Sequence, residues 1–324
     1  MSKSIVIHET GGPEVLRWEK SSPKELKPEE AQVRIHSAGV NYIDIYFREG
    51  LYPAELPMTP GLEGSGVVES IGDKVTQVKP GDRVAWASCR GSYGLTVNAN
   101  AQSLVAVPDS ISLEIAAASM LQGMTAHYLT HGVRETKPGD TALVHAAAGG
   151  TGLLLVQLLK KAGATVIGTC STEDKAQKVK SAGADHVILY SSEDFVAKTK
   201  EYTNSKGVAV VYDSVGKDTF DKSLKVLQPR GLMALFGQSS GPVPPFDLQR
   251  LNQGGSLFVT RPSLFHYTSD RASLERRAKE GFSAIKDGLS IAIGKTYPME
   301  DAAEAHLALS SRRTSGKLLL IAPS

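Results

Sequence analysis

Two cysteines in 324 residues, Cys89 and Cys170, exclude a disulfide framework and any zinc lobe built on four closely spaced cysteines. Charge of one sign is also scarce in excess: 36 Lys and Arg against 34 Asp and Glu leave +2. That balance gives no electrostatic reason to follow a nucleic-acid backbone or an anionic lipid surface, so neither partner is expected. The short basic groups around Arg276-Arg277-Lys279 and Arg312-Arg313 are too scattered to form a stripe. No apolar run approaches the roughly 18 to 20 residues that span a bilayer. Residues 1–8 run straight into a short apolar stretch and do not read as a signal peptide. A cytoplasmic, soluble protein is expected. What the chain does have is apolar content, 41% hydrophobic against 22% charged, and a length that suits two domains at roughly 150 residues each.

The first third reads as short strands between turns. Ile5-Val6-Ile7 precedes Gly11-Gly12-Pro13, Val33 and Ile35 alternate with polar neighbours, and Val67 to Ile71 ends at Gly72-Asp73. Arg83 to Trp86 follows the turn Lys79-Pro80-Gly81-Asp82, and Val105 to Val107 closes before Pro108. This spacing predicts a compact, mainly antiparallel β domain. From Leu113 the pattern changes to two helical stretches, 115–121 and 125–133. Strands then alternate with helices: 141–145, 165–169, 186–189, 208–213, 232–236 and 256–260, with helices near 152–162, 173–182, 193–202 and 217–227. Gly163 and Gly183 sit where glycines end helices. The fold class is therefore α/β, with a doubly wound six-stranded parallel sheet. Segment 265–324 breaks the alternation, with helices at 269–287 and 300–311 and a strand at 317–321, and is expected to return to the β domain. The expected division is 1–124 with 265–324, and 125–264.

Between the first strand of the alternation and its helix lies Ala146-Ala147-Ala148-Gly149-Gly150-Thr151-Gly152. Read as Ala147-x-Gly149-x-x-Gly152, it is the dinucleotide pattern with alanine at the first glycine. Gly149 and Gly150 let backbone N–H groups approach a pyrophosphate, and Gly152 permits close helix–strand packing. The competing reading is an ordinary tight turn. The second strand ends Cys170-Ser171-Thr172 with no acid at its tip, where a ribose-binding Asp or Glu would mark NAD. Hydroxyls at Ser171 and Thr172 and the cation Lys175 suit a 2′-phosphate instead, so NADPH is the expected cofactor. Lys175 also fits a solvated helix face.

Further segments extend the pattern over nearly the whole chain: Ala38-Gly39-Val40-Asn41-Tyr42-Ile43-Asp44, Gly50-Leu51-Tyr52-Pro53, Gly61-Leu62-Glu63-Gly64-Ser65-Gly66, Tyr212-Asp213-Ser214-Val215-Gly216 and Val259-Thr260-Arg261-Pro262. With the glycine loop, they make the sequence resemble the zinc-free quinone oxidoreductases, the zeta-crystallin-like branch of the medium-chain dehydrogenase/reductase family. The resemblance implies a GroES-like catalytic domain split around an inserted Rossmann domain. Zinc alcohol dehydrogenases of the wider family place a cysteine where this chain has Asn41 and a histidine where it has Leu62. Neither residue replaces those ligands in a tetrahedral zinc site, and the eight histidines are read as offering no H-x-x-x-H or similar cluster in their place, so no metal is expected.

Several site residues follow from the resemblance. Asn41, a neutral donor at the former metal-ligand position, is expected at the nicotinamide end. Tyr46 and Tyr52 offer phenolic donors and flat faces for a planar ring, with Asp44 and Arg48 as further candidates. Each has a plain structural alternative: Asn41 in a turn, Asp44 capping a helix, the tyrosines packing inside. For the cofactor, Thr125 would lie against it and Tyr190 would face the adenine side. Ser214 and the turn Phe236-Gly237-Gln238-Ser239 follow the fourth and fifth strands, where open α/β sheets bind ligands. Phe258 and Thr260 would border the nicotinamide, although Phe258 equally fits a buried strand. Arg312, or Arg313 in its place, would add a second phosphate cation or lie on the surface. Cys89 and Cys170 are read as packed thiols.

The function expected is reduction of a small quinone by NADPH without metal or flavin, where the protein's share is positioning and stabilisation of the developing oxyanion. Reduction of an activated carbon–carbon double bond is the nearest alternative. A non-catalytic NADPH-binding sensor is the rival of another class. The resemblance also implies a homodimer, with strand 256–260 pairing with its copy at a sheet edge.

Overall fold

The computed structural model describes residues 2–21 and 25–323. The chain divides into two compact units, Met1–Met124 with Thr268–Ser324, and Thr125–Tyr267. The second division thus falls at Tyr267, three residues beyond the 264 read from the sequence.

In the first unit β1 (Ser2–Val6) pairs antiparallel with β2 (Arg17–Ser21). There follow β3 (Glu30–Val40), α1 (Tyr42–Arg48), β4 (Glu63–Ile71), β5 (Arg83–Trp86), β6 (Thr96–Asn100), β7 (Val105–Ala106) and α2 (Leu113–Tyr128). The second unit supplies β8 (Thr141–Val144), α3 (Gly150–Lys161), β9 (Thr165–Cys170), α4 (Glu173–Ser181), β10 (His186–Leu189) and α5 (Phe195–Tyr202). It continues with β11 (Val208–Asp213), α6 (Phe220–Leu224), β12 (Leu227–Leu235), α7 (Gln249–Gln253), β13 (Phe258–Thr260) and α8 (Leu264–Tyr267). The chain then returns with α9 (Arg271–Lys286), β14 (Ile293–Pro298), α10 (Ala302–Ser310) and β15 (Lys317–Ile321).

The sheet of the first unit runs β14-β15-β3-β4-β5-β7, with β6 also pairing β3. All its pairings are antiparallel except β14 with β15. Along β3, Ala31, Val33 and Ile35 face the core and Arg34 is exposed, the period of two that a half-covered sheet requires. From Ser37 to Val40 every residue is buried, and there β3 lies between β4 and β15. Trp86 fills this core, fully buried, its indole N–H donating to Ser92 Oγ at 2.8 Å. Its register partner on β4 is Gly64, where a Cβ would stand 2.6 Å from the indole ring. The strand gives up a side chain to admit the largest one.

The sheet of the second unit is six-stranded, wholly parallel, in the order β10-β9-β8-β11-β12-β13. The direction of winding reverses between β8 and β11, the arrangement of a doubly wound fold with its switch point at the sheet centre. The central strands are mostly apolar, and all six residues of β11 are buried, from Val208 to the hydrogen-bonded Asp213 at its end. Gly163 and Gly183 carry φ of 81° and 106° just past α3 and α4, a conformation that ends a helix without a Cβ clash.

Two sequence readings change. The helical stretches 115–121 and 125–133 are one continuous helix, α2, followed by a single π-turn at Leu129–Val133. Strands β2, β6 and β14 are absent from the sequence reading, because Arg17–Ser21, Thr96–Asn100 and Ile293–Pro298 carry few apolar residues. Gly64→Ala is expected to lower stability by about 1–3 kcal/mol through overpacking against Trp86; urea unfolding followed by tryptophan fluorescence measures it.

Candidate active site

In the second unit the loop between β8 and α3 is built by close backbone approach. His145 N–H donates to Tyr212 O at 3.0 Å, Ala147 N–H to Thr169 O at 3.0 Å, and Gly149 N–H to Ala146 O at 2.9 Å. Ala146, not the glycines, takes the left-handed conformation, with φ of 50°. A Cβ at Gly152 would stand 2.5 Å from Ala146 O and 2.7 Å from Ala147 Cα, so only glycine lets α3 begin here. Gly149 is the N-cap and Gly150 opens α3, leaving first-turn N–H groups toward the loop.

At the end of the neighbouring β9, the Lys175 ammonium lies 3.5 Å from Ser171 Oγ, and Ser191 Oγ donates to Ser171 O. Thr172 caps α4, and Glu173 and Asp174 point to solvent from its first turn. Lys175 is half-buried, and that burial lowers the pKa of its ammonium, partly opposed by the nearby Cys170. Tyr190, just past β10, is exposed, with its N–H on Cys170 O. Ser171, Lys175 and Tyr190 therefore cluster at one end of the sheet.

Two turns follow β11 and β12. Asp213 accepts from the Val215 and Gly216 N–H groups and from Thr219 Oγ1, which fixes the turn holding Ser214. Ser239 N–H donates to Ser214 O, and a Cβ at Gly237 would stand 2.7 Å from that same oxygen. Ser214, Phe236, Gly237 and Ser239 are thus brought together as one edge. Thr125 is buried in α2. Thr260 is half-buried on β13, but Phe258 is 59% exposed, so the reading of Phe258 as a buried strand residue is corrected. Arg312 is exposed with φ of 56° on the turn after α10, in the first unit.

In the first unit the candidates around α1 form a buried polar network. Asn41 precedes α1, and its N–H donates to Asp44 Oδ2 at 2.9 Å, the carboxylate half of a capping box. Asn41 Nδ2 donates to Glu63 Oε2 at 2.9 Å and to Gly39 O at 3.3 Å. Its Oδ1 accepts from Lys317 Nζ at 2.8 Å and from Gln122 Nε2 at 3.3 Å. Two donors and two lone pairs are the whole inventory of an amide. Asn41 therefore has no donor left over within this network, which corrects its reading as a free donor; its place at the nicotinamide end belongs to the proposal below.

Asp44 is enclosed. Burial pushes its carboxyl up to about 7, against the pull of the Asn41 N–H and the Lys317 charge. Tyr93 O–H donates to Asp44 Oδ2 at 3.2 Å, and His306 Nε2 lies 3.1 Å from the same phenol. Arg48 NH1 meets His306 Nδ1 at 3.2 Å. A guanidinium only donates, so Nδ1 is the acceptor and Nε2 carries the proton toward Tyr93. Burial, with Arg48 adjacent, lowers His306 to about 3 and keeps it neutral. Arg48 also donates through Nε to Gly11 O and through NH2 to Glu49. Arg48 is thus part of the interior framework and not a residue presented to substrate, a second correction. Tyr46 is buried and meets Tyr52 edge to face at 5.3 Å, with Tyr52 half-buried.

Sequence reasoning missed Glu63, Lys317, Tyr93 and His306 as members of this network. Glu63 lay inside a quoted motif, but the others sit far away in sequence, and no local spacing ties them together. The reading of no H-x-x-x-H spacing is corrected: His127 and His131 are such an i,i+4 pair, and their rings stack at 4.5 Å. His131 Nδ1 is engaged with Thr130 Oγ1 and His127 O, and among the described residues no three His, Cys, Asp or Glu side chains group as a metal site. Cys170 is buried, and burial raises the Cys89 thiol to about 12, so Cys89 is not held as a thiolate.

A doubly wound domain inserted into an antiparallel β-unit, with a glycine loop at its switch point, defines a dehydrogenase fold. Residues 27–137 match the family described as "Alcohol dehydrogenase GroES-like domain", and residues 150–270 that described as "Zinc-binding dehydrogenase". Quinone oxidoreductase 1 of Escherichia coli is 46% identical over 326 aligned positions, covering 99% of this chain and all of that protein. A 2-haloacrylate reductase of Burkholderia is 42% identical over 332 positions, covering 99% of each. The crystal structure of E. coli quinone oxidoreductase complexed with NADPH superposes with a TM-score of 0.96 at 46% identity, covering 98% of this chain and 99% of that one. The chain belongs to the zeta-crystallin-like quinone oxidoreductase branch of the medium-chain dehydrogenase/reductase family. The zinc of the matched description does not fit this corner: Leu62 has no ligating atom, and the Asn41 oxygen is engaged by an ammonium.

Two outcomes follow from this geometry. Gly152→Ala is expected to cost about 1–3 kcal/mol and to weaken nucleotide binding at least tenfold, as read by calorimetric unfolding and NADPH titration. Asp44 has a folded pKa above its unfolded 3.8, so the folded state holds more protons and stability falls as pH rises from about 4 to about 7. Asp44→Asn removes that slope: its stability relative to wild type should increase across this window, measured by urea midpoints at successive pH values.

Proposed function

We propose that this protein is an NADPH-dependent quinone reductase that uses neither metal nor flavin. The observation that carries the cofactor choice is the end of β9, where the Ser171 hydroxyl and the Lys175 ammonium lie 3.5 Å apart while Glu173 and Asp174 face solvent from the first turn of α4. A hydroxyl and a cation together suit a 2′-phosphate. The NADPH held by the E. coli structure and the names of the full-length relatives support the same reading.

Bound NADPH supplies the hydride. The chain's own residues bind and orient. Gly149, Gly150 and Gly152 would open the α3 N-terminus to the pyrophosphate, Ser171 and Lys175 would take the 2′-phosphate, and Tyr190 would face the adenine side. Thr125, Ser214, Phe236, Gly237, Ser239 and Thr260 would border the remainder, and Arg312 would add a second phosphate cation. Tyr46 and Tyr52 line the quinone position, with aromatic faces and phenolic donors toward a developing oxyanion. Asn41 and Asp44 hold the start of α1 in place, with Asn41 at the nicotinamide end. Arg48 ties its end to His306.

The similarity to a 2-haloacrylate reductase favours reduction of activated double bonds as a second activity class. A homodimer is supported by the end position of β13 in its sheet and by the exposed Phe258 on it. Among the described residues no helix is long and apolar enough to cross a membrane; a cytoplasmic location is part of this proposal and does not rest on that absence.

Purified protein should oxidise NADPH with 1,4-benzoquinone in the presence of a chelator, faster than with NADH. Lys175→Ala should raise the NADPH KM about tenfold and leave NADH turnover within twofold, since roughly 1–2 kcal/mol of charge-assisted bonding is removed. No turnover with quinones, but turnover with α,β-unsaturated carbonyls, would move the assignment to the second class.

A further inference from the structure

We infer that Lys317, supplied by β15, is a positioning residue of this active site and acts through Asn41. The inference rests on the quinone-reductase reading for its rate measurement but not for its structural one. Lys317 and Glu63 are both almost wholly buried, 1% and 0% exposed, and are joined by an ion pair. Lys317 Nζ also donates to Asn41 Oδ1 at 2.8 Å, while Glu63 Oε2 accepts from Asn41 Nδ2 at 2.9 Å. The two charges therefore read the two ends of one amide. A flipped amide would set its NH2 against the ammonium and its oxygen against the carboxylate, so only one orientation is allowed.

The surroundings are shaped for this contact. Gly39 on β3 pairs with Glu63 on β4 and with Leu319 on β15. A Cβ at Gly39 would run into Glu63 Oε2 and stand 2.8 Å from Lys317 Cε. The strand has surrendered a side chain to admit both ions. Glu63 Oε1 meanwhile accepts from the Leu121 N–H at 2.6 Å, so α2 is held by the same carboxylate. A buried ion pair is weak evidence for stability, because apolar residues of similar size are often as stabilising. What this pair adds is direction: it fixes the amide that starts α1, and α1 carries Tyr46 and leads to Tyr52.

The test compares Lys317→Met, the neutral pair Glu63→Gln with Lys317→Met, and wild type. For each, melting temperature, NADPH dissociation constant, kcat with 1,4-benzoquinone, and amide hydrogen exchange of segment 41–48 are measured. The single variant leaves a carboxylate buried and unpaired, so its melting temperature should drop. The neutral pair should regain most of that melting temperature and bind NADPH within twofold of wild type. Its kcat should nonetheless stay depressed by about thirtyfold or more, since small misplacements of positioning groups cost on the order of a hundredfold. Exchange of segment 41–48 should be faster by at least tenfold. A neutral pair with wild-type kcat and wild-type exchange overturns the inference and leaves the ions as packing. Should the double variant not fold, Glu63→Gln alone is judged by the same two readouts. If wild type itself does not reduce quinones, the activity proposal fails, and the exchange of segment 41–48 still decides the role of Lys317.

Discussion

An ammonium that has lost all contact with water must be met by a carboxylate and by further hydrogen bonds, or it will not stay charged. Lys317 meets that condition on the last strand of its sheet, and the elements around it are arranged accordingly. Glu63 at the start of β4, Asn41 between β3 and α1, and Leu121 on α2 all converge on the pair. One glycine, Gly39, is left without a side chain for it. A second chain of buried groups runs from Asn41 through Asp44, Tyr93 and His306 to Arg48. The start of α1 is held from its backbone by one chain and from its side chain by the other.

The second unit solves a different problem by different means. Among the described residues its loop shows no buried ion pair; it brings backbone to backbone. Gly152 and Gly237 each lack a Cβ where a carbonyl oxygen stands within 2.5–2.7 Å. This closeness leaves main-chain N–H groups at the opening of α3 and aligns the turns after β11 and β12. The oriented donors cost nothing to reorganise when an anion arrives.

Much of the fold was legible because its signals are local. The parallel strands are apolar runs, the glycine loop is contiguous, and Gly163 and Gly183 mark helix ends within one segment each. The missed strands β2, β6 and β14 are mostly polar, so the period of two that betrays a strand was too faint. At the site, the phosphate end was readable for the same reason: Ser171, Lys175 and Tyr190 lie on consecutive elements. The other end was not. Asn41 was assigned a free donor because its partners, Glu63 and Lys317, come from strands 22 and 276 positions away. Arg48 was offered to substrate because nothing near it in sequence announces His306. Hydrogen-bond saturation is a property of the assembled interior, and a one-dimensional reading cannot count it.

The order in which these pieces are made has a consequence for biosynthesis. Every strand of the second unit's sheet is contiguous between Thr141 and Thr260, so that sheet can close while later residues are still being added. The first unit has no such freedom. Glu63 emerges early, with its carboxylate committed to the interior of a sheet whose cation arrives only with Lys317. Until then β3 lacks its neighbour β15, and the neutralising charge does not exist on the chain. A ribosome that stops short of Lys317 therefore releases a chain carrying a finished inserted unit and an unfinished frame. The edge of β3 that β15 would cover is then left with unpaired backbone groups, a template for wrong pairing.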